Sequence, residues 1–445
     1  NILRNFDAEA PAYIMYTSGS TGTPKGVMLS QIGLSNMVQA MSKVLDYLKD
    51  GPNHAIASVT STPFDIFVYE IVVSLAHGMK VVMANNAEHR NPKLLDALIK
   101  KYDVDVMTVT PSLMKINYDN REPDTALANV KNMVFGGEPL PEKFVKDLKA
   151  LSDDITIYNI YGPSEITVLS NVQNLDGEKE ITVGPPIMNT QIHILDSNMK
   201  QVPIGVVGEI YIAGIQVGKG YIGKTELTNH RFLKNPFGPG KIYKSGDIGR
   251  WTFDGKVQCL GRVDHQIKLR GLRIELGEIE NKMESIKGVI ASVVNKVEYN
   301  GKEVLCGYYV CDKEEVTEQI VKEYLRKELP YYMVPTYIMK LKEMPYTINR
   351  KIDRKALPLP HFTNNKNKDI ISDKKLSVNE KKLLDIWKNV LNSDNISIDD
   401  NFFDIGGDSI SAITMQLEAM KCGFEFEYSD IFNYPTIKML SSKVY

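Results

Sequence analysis

Short apolar runs alternate with amphipathic stretches over roughly the first 170 residues, which is the pattern of an α/β domain. Three of the apolar runs predict strands, at residues 104–109, 130–135 and 155–158. Each runs directly into a cluster of small or polar residues, at 110–112, 136–138 and 161–165. Ligands of open α/β sheets bind beyond the carboxyl ends of strands, so we expect these clusters to converge on one cleft.

The pattern changes after residue 180. Short strands predicted at 191–195 and 209–213 are separated by Gly, Pro and Asp turns, which favours a small β-rich subdomain. Farther along, strand-like runs at 291–297 and 304–310 and a helical stretch at 317–329 predict a compact α+β lobe.

The last part of the chain has the pattern of a helical domain. A polar, aperiodic segment at 361–374 predicts a linker. Behind it, Ser377 and Glu380 have capping-box spacing and open a helix with one apolar face: Leu383, Leu384, Trp387, Val390 and Leu391. A later helix is expected to bury a stripe formed by Ile410, Ile413, Leu417 and Met420. No internal repeat interrupts this organisation.

Composition excludes several classes of function. The chain has 445 residues, 43% of them hydrophobic, and a net charge of −2, which argues against nucleic acid or an anionic membrane as partner. Its four cysteines form no Cys-x-x-Cys pair, and no run of about 18 apolar residues occurs, so we expect a reduced, cytoplasmic protein. The first residue is Asn rather than Met, and we expect the chain to lack its natural beginning.

The most informative segment is 16–26, which follows the apolar run 12–15, itself predicted as a buried strand. Its glycines allow successive backbone N–H groups to turn toward one anion, and its hydroxyls and the Lys25 ammonium add donors. The segment therefore predicts a polyphosphate-binding loop. It differs from the common nucleotide loop because Gly26 follows Lys25 where that loop has Ser or Thr. A flexible Gly/Ser linker is the alternative, although such linkers seldom carry a Pro-Lys-Gly sequence.

Six motifs occur in a fixed order: the phosphate loop and the segments 161–165, 243–247, 261–264, 268–275 and 349–354. In this order they resemble adenylate-forming enzymes, most closely the adenylation domains of nonribosomal peptide synthetases. The segment 404–409 is similar to the attachment site of a peptidyl carrier protein. The resemblance covers almost the whole chain, although the family has a further segment before the phosphate loop.

The resemblance implies that the enzyme activates an amino acid with ATP and Mg²⁺. Thr17, Ser18, Gly19, Ser20, Thr21, Gly22 and Lys25 would bind phosphates, and Glu165 would bind the metal. Gly136, Gly137, Glu138 and Tyr161 would flank the adenine, and Asp247 with Arg262 would bind the ribose. Taken alone, Tyr161 could equally be a core tyrosine and Asp247 a turn residue.

Two residues of the lobe and its boundary also receive roles by resemblance. Lys351 would bridge the substrate carboxylate and the α-phosphate during adenylation, whereas by itself it would be an ordinary surface lysine. Here Arg350 replaces the usual Gly beside it. Asp264 would be the hinge about which the lobe rotates; the alternative is a turn aspartate in a rigid loop.

The resemblance further implies a substrate pocket. Asp65 would pair with the α-ammonium, and the other positions are Ile66, Tyr69, Thr108, Val134, Gly136, Ile160, Val168 and Leu169. None of these other positions is charged, so a charged substrate side chain would lack a partner there. We therefore expect an apolar or aromatic amino acid, with Leu, Ile, Val and Phe as candidates.

In the carrier segment, Ser409 stands where a helix is predicted to begin, and helix N-termini favour an incoming phosphate. The resemblance makes Ser409 the attachment point of 4′-phosphopantetheine, added by a phosphopantetheinyl transferase; the alternative is a plain N-cap serine. Asp408 replaces the His of many carriers, a form that occurs where an epimerisation domain follows.

Together these interpretations predict an α/β core with a small β-rich subdomain, an α+β C-terminal lobe and a C-terminal four-helix carrier domain. The expected boundaries are 1–262, 263–360, a linker at 361–374, and 375–445. The expected function is amino-acid adenylation and thioester formation on Ser409, with neighbouring condensation and epimerisation domains as partners. The alternatives are a ligase that uses free coenzyme A and a carrier that is loaded only in trans.

Overall fold

The computed structural model describes residues 7–17, 24–85, 87–89, 91–121, 124–263, 266–269, 272–299, 302–346, 352–360, 376–391, 393, 396–403, 405–407 and 409–443. The chain divides into two compact units, the first ending at Ile274 and the second running from Glu275 onward. In the described residues no helix is both long and apolar enough to cross a membrane.

The first unit contains a six-stranded sheet. Its strands are β3 (Ala55–Ser58), β4 (Lys80–Met83), β5 (Val106–Val109), β6 (Asn132–Phe135), β7 (Thr156–Tyr161) and β8 (Asn171–Asn174), in the order β4-β3-β5-β6-β7-β8. All neighbours are parallel except β7 and β8. The three strands predicted from apolar runs are confirmed, although β5 and β6 begin two residues later than expected and β7 continues to Tyr161.

Helices cover both faces of this sheet, which explains why every residue of β3, β5 and β6 is buried. These helices are α1 (Gln31–Val44), α2 (Asp65–Ala76), α3 (Pro92–Tyr102), α4 (Pro111–Asp119) and α5 (Glu142–Lys149). A sixth helix of the unit, α6 (Thr225–Arg231), lies in the β-rich subdomain. On β6, Met133 and Phe135 pack in the core cluster that includes α3, α4 and α5 residues. Val134 points the other way and packs with residues of α1 and α2.

A smaller sheet carries the phosphate-loop motif, in the order β1 (Pro11–Thr17), β2 (Lys25–Ser30) and β11 (Gly220–Tyr221). The prediction of a strand at 12–15 is confirmed, but the prediction that it is buried is wrong. Only Met15 of β1 is buried, whereas Ile14 is 46% and Tyr16 64% exposed. The reason is that β1 is an edge strand with one face open to solvent.

The β-rich subdomain is also confirmed. Its sheet has the order β12-β13-β10-β9, with β14 paired to β13, and each described pair is antiparallel. The strands are β9 (Thr190–Leu195), β10 (Gly208–Gly214), β12 (Phe232–Lys234), β13 (Lys241–Trp251) and β14 (Val257–Arg262). A two-stranded sheet, β15 (Gln266–Leu269) and β16 (Leu272–Glu275), follows.

The second unit begins with the predicted α+β lobe. A three-stranded sheet of β17 (Val289–Tyr299), β18 (Lys302–Cys311) and β19 (Tyr337–Lys340) accompanies α7 (Leu276–Glu284) and α8 (Glu318–Glu328). Thr317 caps α8, since its hydroxyl accepts a hydrogen bond from the Ile320 N–H.

Within its described residues the carrier region has four helices, α9 (Val378–Leu391), α10 (Ser409–Lys421), α11 (Tyr428–Asn433) and α12 (Ile437–Ser441). The predicted capping box is present: the Ser377 N–H donates to Glu380 and the Glu380 N–H donates to the Ser377 hydroxyl. Trp387 of α9 is fully buried and meets the Phe402 ring edge-on, with ring centroids 4.8 Å apart.

The predicted apolar stripe of α10 is only partly correct. Ile413 is buried, but Met420 is 44% exposed and Leu417 is half-buried. The residues that face the core are instead Ala412, Met415 and Ala419, each fully buried. The three residues share one helix face, and a search for large apolar residues overlooks Ala412 and Ala419 because their side chains are small. The side chain of Ile410 lies outside the described residues.

Candidate active site

The strands on either side of the phosphate loop bring together two residues that are predicted to bind phosphate. Thr17 ends β1 and Lys25 begins β2, and the two residues are paired across the antiparallel ladder. Within the described part of the chain, the Thr17 hydroxyl is buried without a hydrogen-bond partner, which fits a phosphate ligand. The other predicted ligands, Ser18, Gly19, Ser20, Thr21 and Gly22, lie outside the described residues.

Lys25 forms a buried cluster with the predicted metal ligand. Its Nζ is 3.6 Å from Glu165 Oε1, and the two side chains are 4% and 0% exposed. The Tyr221 hydroxyl donates to the same Oε1 at 2.7 Å, and Lys25 Nζ is 5.1 Å from the centre of the Tyr221 ring. A buried carboxylate needs such partners, and its hard oxygens suit Mg²⁺. Sequence reasoning missed Tyr221, which is 56 residues from Glu165.

The turn that carries Glu165 is strained. Thr167 and Val168 have φ angles of 50° and 73°, a region that residues other than glycine seldom occupy. Gln216, also missed by sequence reasoning, supports this turn, because its side-chain amide donates to the Leu169 carbonyl at 3.1 Å. Its own carbonyl oxygen accepts from the Thr190 hydroxyl at 2.8 Å. Strain of this kind persists where the surroundings hold a loop in a functional shape.

Three of the predicted nucleotide-binding residues lie together at the end of β7 and on the β13–β14 pair. The Tyr161 hydroxyl donates to Asp247 Oδ2 at 2.5 Å, and Arg262 Nη1 donates to Asp247 Oδ1 at 2.6 Å. Asp247 and Arg262 face each other across the ladder. Burial, and then the Asp247 carboxylate, raise the pKa of Tyr161 well above its ordinary value. Tyr161 therefore remains a neutral donor, and Asp247 keeps oxygen atoms that can accept from ribose hydroxyls.

The predicted adenine-binding segment begins where β6 ends. Gly137 has φ of +83°, and a Cβ on Gly136 would lie 2.6 Å from Ile160 Cγ1, so both positions require glycine. Glu138 also has a structural contact, because its carboxylate accepts from the Ser112 N–H at the start of α4 at 2.9 Å. This bond joins two of the clusters that the sequence predicted to converge.

Most of the predicted substrate-pocket residues belong to one core cluster on the α1–α2 face of the sheet: Tyr69, Val134, Ile160, Val168 and Leu169. Each is at most 5% exposed, and Ile66 is 7% exposed. Thr108 is fully buried, and its hydroxyl has no hydrogen-bond partner in the described part of the chain. The Tyr69 hydroxyl lies 3.1 Å from that of Tyr47.

Asp65 is the first residue of α2, and Glu70 fixes that helix to the end of β3. The fully buried Glu70 carboxylate accepts from the Ser58 and Thr60 hydroxyls, each at 2.6 Å. Burial raises the pKa of Glu70 to about 7, although these hydroxyls oppose the shift. Sequence reasoning missed Glu70.

The other predicted site residues lie in the second unit or at its boundary. Lys351 and Asp264 lie outside the described residues, and nothing is described of the Ser409 side chain. Ser409 is nevertheless the first residue of α10. The preceding Gly406 has φ of +99°, and a Cβ on Gly407 would lie 2.3 Å from the Phe402 carbonyl oxygen. The two glycines are therefore needed to bring the chain to Ser409, and a helix N-terminus fits the phosphate of a pantetheine arm.

Two family models match the chain. The model of AMP-binding enzymes matches residues 3–222, and the model of the phosphopantetheine attachment site matches residues 381–444.

Curated relatives match over nearly the full length of the chain. Bacitracin synthase 3 of Bacillus licheniformis is 38% identical over 98% of the chain, and a dimodular nonribosomal peptide synthase of Bacillus subtilis is 37% identical over 97%. The chain spans only 7% and 18%, respectively, of the length of these proteins.

Solved structures agree with the fold. The protein PA1221, described as a nonribosomal peptide synthetase protein containing adenylation and carrier domains, matches with a TM-score of 0.79 at 24% identity. The match covers 98% of this chain and 73% of that one. A four-domain synthetase, AB3403, bound to AMP and glycine, matches with a TM-score of 0.54 at 30% identity, covering 99% of this chain and 32% of that one. These likenesses confirm the predicted fold class.

Proposed function

The chain belongs to the AMP-binding enzymes, as a nonribosomal peptide synthetase adenylation domain followed by a carrier domain, and on this premise we propose that it activates an amino acid and loads it onto its own carrier. In the first step a carboxylate oxygen of the amino acid attacks the α-phosphorus of ATP. The bond between the α-phosphorus and the oxygen that bridges it to the β-phosphorus breaks. Pyrophosphate leaves, and the product is an aminoacyl adenylate. Because the protein forms no bond to phosphorus, positioning and charge stabilisation supply the catalysis.

One observation carries the proposal: a single turn after β7 joins two polar clusters. Tyr161 contacts Asp247, and Glu165, four residues on, contacts Lys25 and Tyr221. The first cluster offers acceptors and donors to a ribose, and the second offers a cation to phosphates and a carboxylate to Mg²⁺. Because the two clusters are only four residues apart along one turn, they support a binding position in which the nucleotide lies across the ends of the parallel strands.

The remaining roles follow the same chemistry. Thr17 and the residues 18–22 bind the leaving phosphates, and the glycines of 136–138 admit the adenine. Asp65 pairs with the α-ammonium of the substrate, and Lys351 stabilises charge that shifts between carboxylate and phosphate. Asp264 is the hinge that lets the lobe leave the site after adenylation. Mg²⁺, when bound at Glu165, neutralises phosphate charge.

The second step belongs to the carrier domain. A phosphopantetheinyl transferase modifies Ser409 at the start of α10. The thiol of the attached arm attacks the acyl carbon of the aminoacyl adenylate, a thioester forms, and AMP leaves. Condensation and epimerisation domains of the same synthetase are the proposed neighbours of this pair.

The pocket favours an apolar or aromatic amino acid. Its predicted walls other than Asp65 are uncharged, so a charged substrate side chain would lose its solvation without gaining a partner. Leu, Ile, Val and Phe are the proposed candidates.

Amino-acid-dependent exchange of labelled pyrophosphate into ATP tests this function. We expect exchange with at least one apolar amino acid and none with Asp or Lys. Release of an acyl-coenzyme A from a plain carboxylic acid, with no amino-acid-dependent exchange, would favour a coenzyme A ligase instead. A carrier that accepts an aminoacyl group only from another enzyme would show no exchange at all.

A further inference from the structure

The inner face of β1 presents two hydroxyls that lack partners. Residues 13, 15 and 17 share this face because side chains alternate along a strand, and Met15 between them is buried. The Tyr13 and Thr17 hydroxyls are both buried, and neither has a hydrogen-bond partner in the described part of the chain. Thr17 already has a predicted phosphate role, whereas Tyr13 has no role in the function proposed above.

Tyr13 shares its core cluster with α2, the helix that begins with Asp65. Tyr13 and Val68 of α2 pack against the same core cluster, and Val68 is one helical turn from Asp65. Burial, and then the Asp65 carboxylate, raise the pKa of Tyr13 well above its ordinary value. The Tyr13 side chain is therefore a neutral phenol, with a lone pair to offer and no charge.

A buried hydroxyl without a partner is unfavourable, and native proteins seldom retain one unless a ligand, an ion or a water molecule completes it. An α-ammonium has three N–H donors that point in different directions. The single carboxylate of Asp65 cannot accept hydrogen bonds from all three. A neutral phenol beside Asp65 can accept one of the remaining donors without adding a second negative charge. The hydrogen bond between the phenol and the ammonium would involve a charged group, and such bonds are stronger than those between neutral groups.

We propose that the Tyr13 hydroxyl binds the α-ammonium of the amino-acid substrate together with Asp65. The proposal rests on the function proposed above. Tyr13 and Thr17 are four residues apart, about 13 Å along the strand. One face of β1 thus supplies a hydroxyl to the amino acid at one end and another to the phosphates at the other.

The test compares Tyr13→Phe with Tyr102→Phe, a matched loss of one hydroxyl from an exposed tyrosine that ends α3 in the same unit. In pyrophosphate exchange, Tyr13→Phe should raise the KM for the amino acid roughly 10- to 100-fold, the effect of losing a hydrogen bond to a charged group. The KM for ATP should not change, and Tyr102→Phe should behave like wild type.

Thermal stability separates binding from a structural role. Because the Tyr13 hydroxyl has no partner among the described residues of the free protein, Tyr13→Phe should leave the melting temperature unchanged or raise it. A melting temperature lowered by several degrees, with both KM values raised, would make Tyr13 a structural residue and overturn the proposal.

A second probe identifies the group that Tyr13 contacts. The amine derived from the substrate by loss of its carboxylate retains the ammonium and should inhibit exchange competitively. Tyr13→Phe should weaken this inhibition by the same factor as it raises the amino-acid KM. Unchanged inhibition would overturn the ammonium contact. Wild-type protein without exchange on any amino acid would instead refute the proposed function, whereas active exchange that Tyr13→Phe does not alter would refute only this inference.

Discussion

The buried Glu70 should make the first unit less stable as the pH rises through neutrality. Its carboxyl has a pKa of about 7 in the folded protein against an ordinary 4.5, and burial is the main cause. Between these values the folded state holds a proton that the unfolded chain has lost, so stability falls as the pH rises from 4.5 to 7. The difference of about 2.5 pH units corresponds to about 3 kcal/mol of unfolding free energy.

Glu70→Gln removes the titration while retaining an acceptor for the Ser58 or Thr60 hydroxyl. The unfolding free energy of wild type minus that of Glu70→Gln should therefore fall by about 3 kcal/mol between pH 4.5 and pH 8. Below pH 4.5 this difference should level off, because Glu70 is then protonated in both states. Glu226→Gln, which alters an exposed glutamate of α6, is the matched control and should follow wild type.

Urea unfolding followed by tryptophan fluorescence can measure this difference. The chain has two tryptophans, Trp251 in the first unit and Trp387 in the second. With Trp387→Phe present in every variant, the fluorescence reports on the first unit alone. A difference between wild type and Glu70→Gln that stays constant from pH 4.5 to pH 8 would refute a raised pKa at Glu70.

Two further predictions concern the second unit and its boundary. Lys351→Ala should slow adenylation by roughly 10²- to 10³-fold with little change in ATP binding, because one preorganised charge is lost. Lys355→Ala, four residues away and exposed, is the control, and a loss of less than about threefold for Lys351→Ala would make Lys351 an ordinary surface lysine. Asp264→Pro fixes φ and removes a donor, so it should spare adenylation but severely impair thioester formation on Ser409. Equal losses in both half-reactions, measured on one preparation, would indicate misfolding rather than a hinge.

The sequence predicted the parts of the site that follow strand ends. Tyr161 ends β7 and Glu165 follows four residues later, and Gly136 to Glu138 follow β6, because polar residues interrupt an apolar strand where it reaches the carboxyl edge of the sheet. Strand ends are marked in the sequence by a local change of pattern, and no distant residue is needed to recognise them.

The supporting residues could not be predicted in the same way. Tyr221 and Gln216 act through contacts with Glu165 and Leu169, which are distant in sequence, and Glu70 appears as one acidic residue in an apolar helix. The edge position of β1 and the two alanines that face the core from α10 depend on tertiary packing as well. No periodicity within one element reports such contacts.

The most direct test of the proposed function is intact-mass spectrometry of the phosphopantetheinylated protein with ATP and the amino acid that gives the strongest exchange. Wild type should gain the mass of the pantetheine arm and then that of the aminoacyl group, the latter only with ATP. Ser409→Ala should gain neither and still exchange pyrophosphate, because adenylation needs no thiol. A pantetheine adduct on Ser409→Ala, or a wild-type arm that stays unloaded with ATP and every amino acid, would contradict the account.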